Sequence, residues 1–194
     1  MAKSYEMDMC NGPLLGKILV FTFPLMLSGV LQLLFNAADI VVVGRFSGPQ
    51  ALAAVGSTSA LINLIVNLFL GLSVGANVLI ARYYGAGAYK DTAEAIHTSI
   101  AISIVGGVVL AIIGFIFSRT FLIMMDSPKT VLPLATLYMK IYFLGMPFNM
   151  LYNFGSAVLR AVGDTRRPLL YLAIAGIVNV LLNLLFVIVF HMSV

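Results

Sequence analysis

Hydrophobic residues fall along this chain in long blocks separated by short polar punctuation. Five blocks, at about 14–43, 51–81, 93–117, 131–162 and 169–190, each exceed the roughly 20 helical residues that cross a hydrocarbon core of about 30 Å. The pattern predicts an all-α membrane protein with five transmembrane helices. Glycine and proline mark the joints, at Gly12-Pro13, over Gly44 to Gln50, at Gly85 and Gly87, and over Gly163 to Pro168. Asp91 or Thr92 is expected to cap the third span, and Asp164 or Thr165 the fifth. Ser118 to Thr130 reads as a partly apolar connection at the membrane surface, and residues 1–13 as a polar leader.

A polar stripe interrupts the first span. At about 100° per residue, Pro24, Ser28, Gln32, Asn36 and Asp39 fall within roughly 120° of one another. Asp39 is the only one of seven acidic residues to lie inside a long apolar run. An ionisable group there costs about 2.5–3.5 kcal/mol on insertion scales and normally faces a bundle interior or a wet cavity. Asp39 is therefore a candidate ion or proton site. A plain hydrogen bond to a neighbouring helix is the simpler account, but Gln32 and Asn36 extend the polar face further than one bond needs. Pro24 removes a backbone hydrogen bond, so the helix is expected to bend there.

Weaker polar patterns recur in other spans. Ser59, Asn63, Asn67 and Asn77 lie within about 80° on the second span. Bonds between helices, worth about 0.6 kcal/mol each, explain them as well as contact with solute does. In the fourth span Gly145 to Phe148 forms a breaker around Pro147, with Asn149 and Asn153 beside it. The fifth span carries Asn179 and Asn183 one turn apart. Gly106, Gly107 and Gly114 permit close helix approach. Met124, Met125, Met146 and Met150 read as ordinary apolar packing rather than drug contacts.

Composition narrows the class. The chain is 61% hydrophobic and 9% charged, with a mean hydropathy of +1.08, whereas a soluble domain carries about 25% charged residues. The net charge of +4 is spread singly over short loops, which excludes a nucleic-acid surface. One cysteine, Cys10, excludes an internal disulfide, and His97 and His191 are too far apart to suggest a metal motif. No nucleophile–base pair points to an enzyme. With the N-terminus inside, Lys3, Lys17, Arg82, Lys90, Arg160, Arg166 and Arg167 fall on the inner side and Arg45, Arg119 and Lys129 on the outer. That bias predicts a cytoplasmic N-terminus. Lys140, inside the fourth span, is expected to snorkel to the head groups.

If the first and fifth spans meet, Asp39, Asn179 and Asn183 form a site with one carboxylate and amide oxygens. Such a donor set suits Na⁺, or a proton on the carboxylate. Physical reasoning alone thus reaches an ion-coupled membrane transporter, with the cargo left open.

The chain also resembles the N-terminal half of the multidrug and toxic compound extrusion family. The resemblance rests on Pro24 and Asp39, on GRFSGPQALAAVG from Gly44 to Gly56, on ARYYGAG from Ala81 to Gly87, on the GMPF break, and on LRAVGDTRRP from Leu159 to Pro168. It implies twelve helices in two lobes, of which this chain supplies the N-terminal one without its sixth helix. It further implies a cell-membrane antiporter that exports cationic or amphipathic compounds against Na⁺ or H⁺, with no cofactor beyond that ion. Asp39 and Asn179 match the family's N-lobe cation site. Asn183 falls where many relatives carry a second aspartate. Gln32, Asn36, Asn63, Asn67, Asn149 and Asn153 are candidate cavity-lining residues. The bilayer, a drug-like solute and a C-terminal lobe are the implied partners. A flippase for lipid-linked precursors and an inactive membrane fragment are the alternatives.

Overall fold

The computed structural model describes residues 14–189, and among them there are only helices and turns. The polar leader with Cys10 and Pro13, His191, and the last residue of the fifth predicted span lie outside the described residues. Six α-helices follow one another: α1 (Leu14–Val42), α2 (Gly48–Gly85), α3 (Tyr89–Met124), α4 (Leu132–Leu144), α5 (Met146–Ala161) and α6 (Arg166–Leu184). α1 and α6 each continue into five residues of π-helix, Val43–Ser47 and Leu185–Val189. Helices α1, α2, α3 and α6 are long and apolar enough to cross a membrane. The fourth predicted span, 131–162, is instead two shorter helices. α4 and α5 are joined through Gly145, whose backbone stays near helical at φ −78° and ψ −12°.

Several helix ends depart from the sequence expectation. The segment from Gly44 to Gln50 is mostly helical, and the chain turns sharply only at Gly48, with φ +86°. Pro49 then fits the first turn of α2, where its missing N–H costs nothing. α3 starts at Tyr89, so neither Asp91 nor Thr92 caps it; the Thr92 hydroxyl instead donates to the Ala88 carbonyl at 2.9 Å. It also runs through Ser118 to Met124, where the buried Ser118 hydroxyl donates to the Gly114 carbonyl within the helix and so needs no partner outside it. The true connection is only Met125 to Val131. α6 is capped as expected by Asp164, whose Oδ1 accepts from Arg166 and Arg167 N–H, both at 3.1 Å.

Three helices end in the same way. After α2, Gly87 (φ +71°) donates to Tyr84 O at 3.1 Å and Ala88 to Tyr83 O at 3.0 Å. After α5, Gly163 (φ +89°) donates to Arg160 O at 3.1 Å and Asp164 to Leu159 O at 2.9 Å. After α3, Asp126 takes the glycine position at φ +55°, donating to Ile123 O at 3.0 Å, and Ser127 reaches Leu122 O at 3.1 Å. These are Schellman caps, which favour glycine at the left-handed residue. Asp126→Gly is accordingly expected to stabilise the protein by about 1 kcal/mol or less, since it removes the left-handed strain of a side chain. A thermal melt in detergent checks this, and an unchanged or lower midpoint contradicts it.

The helices sort into two groups. α2, α3, α4 and α5 pack against one another, whereas α1 packs chiefly along α6. The core of the first group joins Ala54, Leu122, Val131, Ala135, Met139, Phe143 and Met146. Met146 and Met150 are buried, while Met124 and Met125 are exposed. Glycine sets the closest approaches. A Cβ on Gly107 would stand 2.5 Å from Pro147 Cα, and one on Gly114 would enter the Phe143 ring. Between α1 and α6 the Phe35 ring occupies the space that a Gly176 side chain would need. Gly106 is less confined, its nearest neighbour being Met150 Cε at 3.4 Å.

Candidate functional site

Asp39 sits at the edge of the α1–α6 contact. Taking it as the origin on α1, the buried Pro24 and Val42 lie about 60° to one side, and Phe35 about 40° to the same side. Gln32 and Asn36 lie on the other side, and both are exposed. The stripe predicted on α1 is thus divided: Pro24, Ser28 and Asp39 turn toward α6, and the two amides turn away. The Ser28 hydroxyl spends its hydrogen bond on the Pro24 carbonyl at 2.8 Å.

Across from Asp39, α6 presents the two asparagines that its one-turn spacing predicts. Asn183 Nδ2 donates to Asp39 Oδ1 at 2.8 Å. With its amide oriented by the hydrogen-bond pattern, Asn179 Nδ2 lies 3.0 Å from Asp39 Oδ1 and 3.2 Å from Oδ2. Both helices pass into π-helix just beyond these residues, at Val43 and at Leu185, and the two π segments touch. Such widened turns often accompany functional positions.

The three residues border a cavity of about 480 Å³ whose other walls include Leu52, Tyr138, Tyr142 and Phe186. Tyr138 and Tyr142 of α4 bring phenolic hydroxyls to an otherwise apolar wall, with ring centroids 6.4 Å apart. Sequence patterning did not single them out. Their i, i+4 spacing on one helix face was the available signal, but aromatic pairs in apolar helices are too common to stand out.

The remaining predicted residues do not join this cluster. Asn67 donates to the Asn63 carbonyl at 2.8 Å, and Asn153 to Asn149 Oδ1 at 2.7 Å. Neither pair lines the Asp39 cavity. Asn77 forms the interhelical bond that a structural role demands, to Ala157 O at 2.6 Å. Lys140 places Nζ 5.0 Å from the centre of the Phe115 ring, turned to α3 rather than to the cavity.

A carboxylate held by two amides at the rim of a cavity, in a chain of membrane-spanning helices, defines a multi-pass membrane protein with a partly exposed polar site. The MatE family model matches residues 24–185. The chain belongs to that family, with the fold of its N-terminal lobe. It is 31% identical over 187 residues to the probable multidrug resistance protein YpnP of Bacillus subtilis (strain 168), covering 96% of this chain and 42% of that protein. It also superposes on a MATE crystal structure in the bent conformation with a TM-score of 0.84 at 27% identity, and on one in the straight conformation with 0.85 at 27% identity. Each superposition covers 91% of this chain and 39% of the solved one. The chain therefore spans about two fifths of the length of the relatives it matches.

Proposed function

We propose that this chain forms the N-terminal lobe of a cell-membrane exporter of cationic or amphipathic compounds, driven by Na⁺ or H⁺ taken up at Asp39, Asn179 and Asn183. The observation that carries the reading is the pair of amides on the Asp39 carboxylate in a chain of this family. As drawn together, the amide N–H groups satisfy an ionised carboxylate. A proton on Asp39 would instead need an acceptor, and a Na⁺ ion would need oxygens. Either cargo requires an amide to turn its Oδ1 inward, and Asn179, the more exposed of the two, is the one with room to rotate.

Ion uptake then exchanges one set of contacts between α1 and α6 for another. Pro24, one helix length of about 22 Å away on α1, is where that change is expected to become a bend. Differential affinity of the two conformations for the ion supplies the driving force. Gln32, Asn36, Asn63, Asn67, Asn149 and Asn153, in this proposal, meet solute on surfaces completed by a second lobe, since alternating access needs two bundles around a shared centre. Among the described residues, no lysine or arginine lines the cavity beside Asp39. That favours a cationic cargo over the phosphate-bearing substrate of a lipid-linked flippase.

The test uses the full-length protein in proteoliposomes containing a fluorescent cationic dye. Dye movement is followed under an imposed Na⁺ gradient and, separately, a pH gradient, with the N-terminus accessible to protease from the inner face in cells. Counter-flow with one gradient is expected. Dye movement that ignores both gradients would sink the ion-coupled reading.

A further inference from the structure

A second cavity lies on the other end of the α1–α6 pair, remote in sequence from Asp39, and the coupling-ion reading makes no use of it. It is a groove of about 710 Å³ walled by Leu27 and Leu31 of α1 and by Leu169 and Leu170 of α6, with Pro24 in its lining. Arg166 and Arg167, exposed at the start of α6, complete its lining. The two arginines differ. Arg167 Nε lies 3.2 Å from the buried Asp164 Oδ2, whereas no carboxylate among the described residues pairs with the exposed Arg166 guanidinium. On α1, Lys17 lies within about 20° of Pro24, two turns nearer the same end.

An apolar trough with an exposed guanidinium in its lining matches one chemistry, an alkyl chain bearing an anionic head. We infer that this groove binds a single anionic phospholipid, with its phosphate held by Arg166 and one acyl chain lying between α1 and α6 against Pro24. Free phosphate would find only the head-group half of such a site, since Leu27, Leu31, Leu169 and Leu170 offer it nothing. Guanidinium groups suit phosphate because they present several donors in a planar fork. A basic residue at the membrane surface enriches anionic lipid by about fivefold. An acyl chain seated there fills the space into which α1 would move if it bent toward α6.

These 194 residues hold no tryptophan, so within them an introduced one is the only reporter. The full-length protein carrying Leu170→Trp is reconstituted in phosphatidylcholine vesicles containing either brominated phosphatidylglycerol or brominated phosphatidylcholine. Quenching is read as the difference from the parent protein. Ile116→Trp on α3, 63% exposed and outside the groove, is the control. The expected result is a roughly fivefold preference for the anionic lipid at position 170, none at position 116, loss of the preference in Arg166→Gln, and its retention in Arg166→Lys. Equal quenching by the two lipids at position 170, or a preference undiminished by Arg166→Gln, overturns the site. Displacement by excess inorganic phosphate overturns the choice of a lipid as its occupant. Because the readout is lipid contact and not transport, it remains decisive whatever the coupling ion proves to be.

Discussion

Asp39→Asn in the full-length transporter is expected to reduce gradient-driven efflux to background while leaving membrane insertion and thermal stability near those of the parent. Asparagine has the shape of aspartate and still accepts from one neighbouring amide, so the contact with Asn183 at 2.8 Å has a replacement. Insertion should not suffer, because the substitution removes an ionisable group from an apolar span. On the proposed reading, what is lost is the carboxylate charge that a bound cation or proton would neutralise. The coupling at stake is about 1–3 kcal/mol, the range in which one ligand alters the affinity for another by roughly 5–150-fold. The measurement is dye efflux from proteoliposomes with and without the ion gradient, beside a melt of the same preparation. Wild-type gradient dependence in Asp39→Asn refutes the assignment. A variant that fails to insert is separated from one that fails to couple by the melt and by its yield in membranes.

The second large effect concerns packing. Gly107→Ala is expected to destabilise the α3–α5 contact by about 1–3 kcal/mol, as overpacking of a filled core does. The new methyl group would meet Pro147 Cα at 2.5 Å, a backbone atom that no rotamer change can move. Gly114→Ala meets the Phe143 ring instead, and a side chain can be trimmed. The double variant Gly114→Ala/Phe143→Leu should therefore recover part of the stability lost in Gly114→Ala, while no comparable partner change rescues Gly107→Ala. Melting in detergent, followed by helical circular dichroism and by monodispersity, distinguishes the two. A Gly107→Ala protein that melts with the parent would mean that α3 and α5 are not held as closely as described.

Much of the architecture could be read from single-helix patterns. Long apolar blocks needed no partner to be recognised as spans, because the bilayer itself sets their length. The placement of Asp164 as a cap and of Gly87 and Gly163 beyond helix ends also followed from local chemistry, as each satisfies backbone groups within a few residues. Local signals failed where a polar residue in a helix resembled a stop. Ser118 turns its hydroxyl back to the Gly114 carbonyl and lets α3 continue. Asp91 and Thr92 resemble a cap, yet lie one turn inside the same helix.

The sequence by itself determined the membrane class, four spans that appear as single long apolar helices, and the set from which a polar site had to be drawn, because hydrophobicity and helical period act within one segment. Only the tertiary structure decided which members of that set meet. Seven residues of α1 separate Gln32 from Asp39, about 20° on a helical wheel, yet only Asp39 reaches Asn183 on α6. The Phe35 ring over Gly176 sets the rotation and closeness of the two helices, and the π turns at Val43 and Leu185 shift the register beyond them. A helix's own periodicity cannot say where its neighbour lies. That is set by side-chain volume at a contact between residues 141 positions apart, which turns Asp39 toward α6 while Gln32 and Asn36 face away.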